Sequence, residues 1–158
     1  MVVKKNLFRI SVIGLVIVLI VVSFYMFYVH VPYYQHHDNL AKIRNEICEK
    51  NNYEYMDYFT EYRSNELYYI VKIKVNDMPA YVAYNEEKVF VNSFQGTVAS
   101  EENVKKDMEG KYKVSIDKLD IGYENNKFVY YAHVQDDESL YYLYYDLASG
   151  EFVKAYKL

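Results

Sequence analysis

The chain has 158 residues, 18 of them Lys or Arg against 22 Asp or Glu, with 21 Tyr, five Gly, two Pro and one Cys. A single cysteine excludes an intrachain disulfide scaffold, and so few Gly and Pro among 18% aromatics exclude collagen-like and low-complexity disordered chains. The balance is that of a folded protein whose apolar residues crowd one end.

That end comes first in the chain. Ile10 to Val29 carries no charge, and 14 of its 20 residues are Ile, Leu, Val or Phe. A helix of that length spans roughly 30 Å, the thickness of the hydrocarbon layer. Lys4, Lys5 and Arg9 precede it, so the positive-inside rule predicts a single-pass cell-membrane anchor with a cytoplasmic N-terminus and an extracellular C-terminal domain. A cleaved signal peptide would have a shorter apolar core and a small-residue exit, whereas this run leaves through Ser23-Phe24-Tyr25-Met26-Phe27-Tyr28. The predicted segments are a cytoplasmic stub over 1–9 and a transmembrane helix over 10–31. Beyond them, 15 basic residues face 22 acidic ones, about −7, which argues against nucleic acid and for a protein partner.

Pro32 has no amide hydrogen, so the sequence predicts that the helix breaks or kinks near it, with Tyr33 to His37 as a connector. Asp38 or Asn39 then caps a helix with the apolar stripe Leu40, Ile43 and Ile47. Strand-like runs follow at Tyr53–Tyr62, Leu67–Val75, Ala80–Tyr84 and Val89–Phe94; Val71-Lys72-Ile73-Lys74-Val75 alternates as a strand with one buried face does. A second pass begins at Ser100, an N-cap candidate with Glu101 and Glu102 behind it and Val104 and Met108 on the buried face. Four more strand-like runs complete it: Val114–Tyr123, Phe128–Gln135, Leu140–Leu147 and Phe152–Tyr156. The order repeats. The predicted fold class is α+β, with two tandem units over 32–96 and 97–158, each one helix on an antiparallel sheet.

No constellation for catalysis or cofactor binding stands out. His36-His37-Asp38, with His30 nearby, is the sole cluster resembling a metal site, but neighbouring histidines point apart on a helix or strand, so it reads as a solvated turn. His133 lies in an alternating strand without a Ser or Cys nucleophile motif, and Cys48 sits beside Ile47 as a small core residue. Asp136-Asp137-Glu138 lacks the spaced ligands and central Gly of a calcium loop and reads as a hairpin turn. Asp57, Glu61, Glu124 and Asp146 cannot be paired as catalytic carboxylates from sequence alone, since a glycosidase pair is defined by its separation in space. Catalytic, cofactor-binding and metal sites are therefore expected to be absent, as is a small-molecule substrate. The tyrosines carry the remaining expectation. In a strand, adjacent residues face opposite ways, so pairs such as Tyr130-Tyr131, Tyr141-Tyr142 and Tyr144-Tyr145 place one ring inward and one outward. With Phe128, Tyr130, Ala132 and Val134 inward, Tyr131, Tyr142 and Tyr144 form an exposed partner-binding patch.

The second pass, from Ser100-Glu101-Glu102 through Tyr130-Tyr131 to Tyr144-Tyr145-Asp146-Leu147-Ala148-Ser149-Gly150, resembles the PepSY and cystatin-like group, most of all in its closing Asp-x-x-x-Gly turn. With the anchor and a first repeat that has Tyr84-Asn85-Glu86-Glu87-Lys88 in place of that turn, the whole chain resembles the TseB-like (YpmB) family of cell-wall elongation regulators of Gram-positive bacteria. The resemblance implies a membrane-anchored, non-enzymatic regulator that binds the extracellular part of a monofunctional penicillin-binding transpeptidase. A PepSY-like sensor or inhibitor acting on a membrane sensor kinase or a protease is the alternative it leaves open.

Overall fold

A computed structural model describes residues 2–135 and 139–158; the acidic run Asp136-Asp137-Glu138 lies outside the described residues. The chain is α+β: one long apolar N-terminal helical stretch, two four-stranded antiparallel sheets and one further helix. It divides into two compact units, the first ending at Asn45 and the second comprising Glu46–Leu158.

The first unit is helical throughout its described length. Helix α1 covers Val2–Tyr25, a π-helical turn follows at Met26–His30, and α2 begins at Val31 and runs to Asn51, so its last residues belong to the second unit. By length and composition the stretch is long and apolar enough to cross a membrane, and the large apolar side chains from Val12 to Val29 are exposed. Of the break or kink expected near Pro32, no break occurs, and neither does the cap at Asp38 or Asn39; helix passes through all three. The π-helical turn is the physical reason. A proline in regular α-helix clashes with the carbonyl four residues back, and widening the preceding turn, with Val31 N–H bonded to the Met26 carbonyl, accommodates it.

In the second unit, β1 (Glu54–Arg63), β2 (Leu67–Val75), β3 (Met78–Asn85) and β4 (Phe90–Gln95) form a meander in sequence order. Helix α3 (Glu101–Tyr112) follows, then β5 (Asp120–Glu124), β6 (Lys127–Gln135), β7 (Leu140–Asp146) and β8 (Phe152–Lys157) as a second meander. Ser100 caps α3 by accepting the Asn103 N–H, and Val104 and Met108 are its buried residues. The strand expected from Val114 is shorter. Residues 114–119 are irregular because Lys113 turns into the left-handed region and the Ile116 N–H bonds to the Glu109 carboxylate. Ile116 and Leu119 are buried at a spacing of three, which a strand would not bury together.

Both faces of the first sheet are covered. Leu67, Tyr69, Val71 and Ile73 are buried on one face, and Ile70 on the other joins Tyr81 and Ala83 in the main core with α3 and the second sheet. The expectation of a wetted face around Lys72 is thereby corrected, since Lys72 and Lys74 are half-buried rims of a sheet packed on both sides. The β5 edge of the second sheet is pressed against the first. Tyr68 and Phe94 meet Tyr123 and Phe128 on one side of it, at ring centroid distances of 5.0 and 6.4 Å, while Tyr62 meets Tyr131 on the other at 5.0 Å.

Candidate functional site: the tyrosine face of the second sheet

Strand pairing settles which rings share a face. Tyr131 lies opposite Tyr144, His133 opposite Tyr142, Tyr142 opposite Tyr156 and Tyr144 opposite Lys154, so these six residues line the same side of β6, β7 and β8. The opposite side carries Tyr130, Leu143 and Tyr145 and is covered by α3, where the Tyr145 hydroxyl donates to Asp107 at 2.6 Å. Tyr131, Tyr142 and Tyr144 therefore do share a face. They do not share its exposure.

One half of the face is closed. Tyr144 is only 8% exposed, and Tyr131 is half-buried with its phenol pushed up to about 12, chiefly by burial and then by the negative charge of Asp120. The expectation that both lie open is corrected, and the reason is packing from the first sheet. The Tyr62 ring sits directly on Gly122, where an added Cβ would lie 2.6 Å from Tyr62 Cε2, and makes an edge contact with Tyr131. Glycine at 122 is what admits that ring. Beside it the Tyr62 hydroxyl donates to Glu124 at 2.6 Å, Ser64 Oγ also donates to Glu124, and Lys154 completes the cluster by an ion pair to the same carboxylate. Burial pushes the Glu124 carboxyl up, but the bonds from Lys154, Ser64 and Tyr62 together outweigh it and hold the group below its ordinary value. Burial and the adjacent carboxylate drive the Tyr62 phenol far up, so it stays a neutral donor.

The other half is open. Tyr142 is half-exposed, His133 exposed, and Tyr156 is 52% exposed, with Lys154 stacked over the Tyr156 and Tyr144 rings at 5.1 and 4.5 Å. Next to it is a groove of about 300 Å³ between Tyr131, His133 and the Ser115–Asp120 segment, with a Lys118–Asp120 ion pair of 2.6 Å. The open half thus presents two aromatic rings, a cation and a histidine beside a polar groove.

The remaining candidates fall elsewhere. His30 packs on Tyr34 at 4.5 Å on the N-terminal helix, and His36 and His37 are exposed further along it. Cys48 is half-buried beside the buried Ile47. Among the described residues no three metal-ligating side chains converge. Asp146 is occupied in the β7–β8 turn, where its carboxylate accepts the N–H groups of Ser149 at 2.9 Å and Ala148 at 3.0 Å. Sequence reasoning passed over Tyr156 and the Glu124–Lys154 pair. The alternation Lys154, Tyr156 in the last strand carried a signal for the first, and nothing local announced the second.

No family model matches the sequence, and none of the curated proteins does. Among solved structures, the YpmB protein from Bacillus subtilis aligns with a TM-score of 0.59 at 20% identity, over 77% of this chain and 97% of its own. The fold is YpmB-like. A Clostridium difficile 630 chain described as a lipoprotein aligns with a TM-score of 0.40 at 10% identity over 77% of this chain and 92% of its own, too distant to bear on the argument.

Proposed function

We propose that this chain is a membrane-anchored, non-catalytic regulator of cell-wall elongation of the TseB-like kind, which uses the open half of its tyrosine face to bind the extracellular part of a monofunctional penicillin-binding transpeptidase. The observation that carries the reading is the division of that face: Tyr131 and Tyr144 are held under Tyr62, while Tyr142, Tyr156 and His133 remain available on the same rigid sheet. Rings fixed by packing lose little freedom on binding, and exposed tyrosines are favoured at protein interfaces. The YpmB-like fold supports the family, and the apolar run with Lys4, Lys5 and Arg9 before it supports an anchor over 10–31 with the N-terminus in the cytoplasm. On this reading 32–96 and 97–158 are tandem PepSY or cystatin-like units. Their closing turns support that: Asn85 and Lys88 in one do what Asp146 and Gly150 do in the other, an Asx side chain accepting a turn amide and a later residue in the left-handed region.

The test is capture of the full-length tagged chain from native membranes, with Tyr142→Ala and Tyr156→Ala variants alongside. Enrichment of a penicillin-binding transpeptidase that falls about tenfold in the variants is expected, as for loss of an aromatic anchor. Enrichment of a sensor kinase or a protease instead would replace this reading with the PepSY-like sensor or inhibitor.

A further inference from the structure

A second groove of the same unit combines apolar walls with donors that nothing answers. Its volume is about 410 Å³, and it is lined by Lys72, Met78, Pro79 and Tyr81 of the first sheet and by Thr97 and Val98 of the connector leading to α3. Lys72 lies opposite Tyr81 in the β2–β3 ladder, so the two side chains share one side of the sheet, with the ammonium 5.8 Å from the ring centroid. Two residues on, Lys74 is paired with both Glu54 and Asp77, at 3.5 and 3.0 Å. Lys72 is half-buried and has no carboxylate at ion-pair distance among the described residues. Tyr81 is 7% exposed, yet its hydroxyl makes no hydrogen bond to the described residues. Burial, and then the charge of Glu101 at the start of α3, pushes that phenol up, so it remains a neutral donor. The main-chain groups of Thr97 and Val98 are likewise unbonded among the described residues. Buried polar groups are ordinarily satisfied, so an unanswered hydroxyl and an unpaired ammonium on one groove mark a place for an acceptor.

We propose that this groove binds the C-terminal carboxylate of a peptide ending in small apolar residues. The carboxylate takes the Lys72 ammonium and the Tyr81 hydroxyl, two donors for its two oxygens, while the last side chains pack on Met78, Pro79 and Val98. Charge fixes the sign of the ligand. The main chain fixes its class, because the amides of a peptide pair with Thr97 and Val98, whereas an acyl chain would leave those groups unanswered. The volume stands at the small end of ligand sites, which run from roughly 300 to 1,000 Å³, so a short chain end fits and the side of a folded protein does not. None of these residues belongs to the tyrosine face. Occupancy of the groove is therefore independent of the transpeptidase contact proposed above.

The experiment uses the full chain in nanodiscs of zwitterionic phospholipid, with carbon-13 in the methionine methyl groups for NMR. Met78 reports the groove, and the buried Met108 of α3 is the internal control. Titration with acetyl-Ala-Ala should move the Met78 signal saturably and leave Met108 in place. The same peptide as its C-terminal amide, and the free acid on Lys72→Gln, should each bind about tenfold more weakly. Tyr81→Phe, which removes the hydroxyl alone, should cost about fivefold. An unchanged Met108 signal reports retained folding of each variant, and the comparison of acid with amide needs no variant at all. Equal binding of acid and amide, a Met78 signal that answers decanoate but not the peptide, an affinity unmoved in folded Lys72→Gln, or no movement of Met78 overturns the proposal.

Discussion

Gly122 and Glu124 sit two positions apart on one strand and decide how the tyrosine face is used. The glycine leaves room for the Tyr62 ring, and Gly122→Ala forces that ring off its seat because the clash is with the ring body rather than a flexible end. The expected cost is about 1–3 kcal/mol in chemical denaturation, with Tyr131 becoming more accessible. Glu124 is held by three donors, and Glu124→Gln leaves Lys154 in a half-buried place without its counter-charge. A loss of about 2 kcal/mol at neutral pH is expected. The pH dependence has a definite sign. Because the folded carboxyl titrates below its unfolded value of about 4.3, its stabilisation is complete above that value and disappears as pH falls through the folded one. Denaturation curves of the wild type and the Gln variant should therefore converge in acid, and a constant gap down to pH 2 would show that the pair contributes nothing through charge.

At the level of elements, local chemistry was readable and distant contact was not. Ser100, Glu101 and Glu102 announce α3, and turn residues separate the strand-like runs, so the strands Leu67–Val75, Lys127–Gln135 and Leu140–Asp146 are legible, within a residue at their ends, from alternation and punctuation. The closing β7–β8 turn is legible for the same reason. Gly150 lies at φ +73, and an added Cβ would approach Ala99 Cβ at 2.9 Å, so Gly150→Ala is penalised twice, by about 1–3 kcal/mol in a thermal or denaturant melt. In the β3–β4 turn Lys88, at φ 60, already bears the left-handed strain of a side chain. Lys88→Gly should stabilise the protein by up to about 1 kcal/mol, less whatever its ion pair with Glu46 contributes. Pro32 misled because a proline's effect depends on the preceding turn, and widening to a π-turn is not encoded in any residue pattern around Met26–His30.

Across the second unit the tyrosines form a connected core rather than a display. Tyr58, Tyr62, Tyr81, Tyr123, Tyr130, Tyr131, Tyr144 and Tyr145 all take part in one cluster, and burial, which disfavours the phenolate, pushes the Tyr130 and Tyr131 phenols up to about 12. Unfolded tyrosine ionises near 10, so these raised values stabilise the fold below about pH 10 and the contribution is lost as pH rises toward 12. Stability should fall steeply between those limits, and absorbance at the phenolate band should show buried tyrosines ionising together with unfolding. A set that all titrate freely near 10 in the folded protein would contradict the packing. Period two puts Tyr142 and Tyr144 on one face of β7 from sequence alone, but Tyr131 joins them only through the β6–β7 register, and exposure depends on Tyr62 arriving from a strand about 70 residues away, which no local pattern carries.

The division of that face is tested most directly by photo-crosslinking in living cells from Tyr142, Tyr156 and Tyr144 in turn. Adducts of a penicillin-binding transpeptidase from Tyr142 and Tyr156, with none from Tyr144, are the predicted result. Equal capture from Tyr144, or no transpeptidase from either open position, would contradict the account.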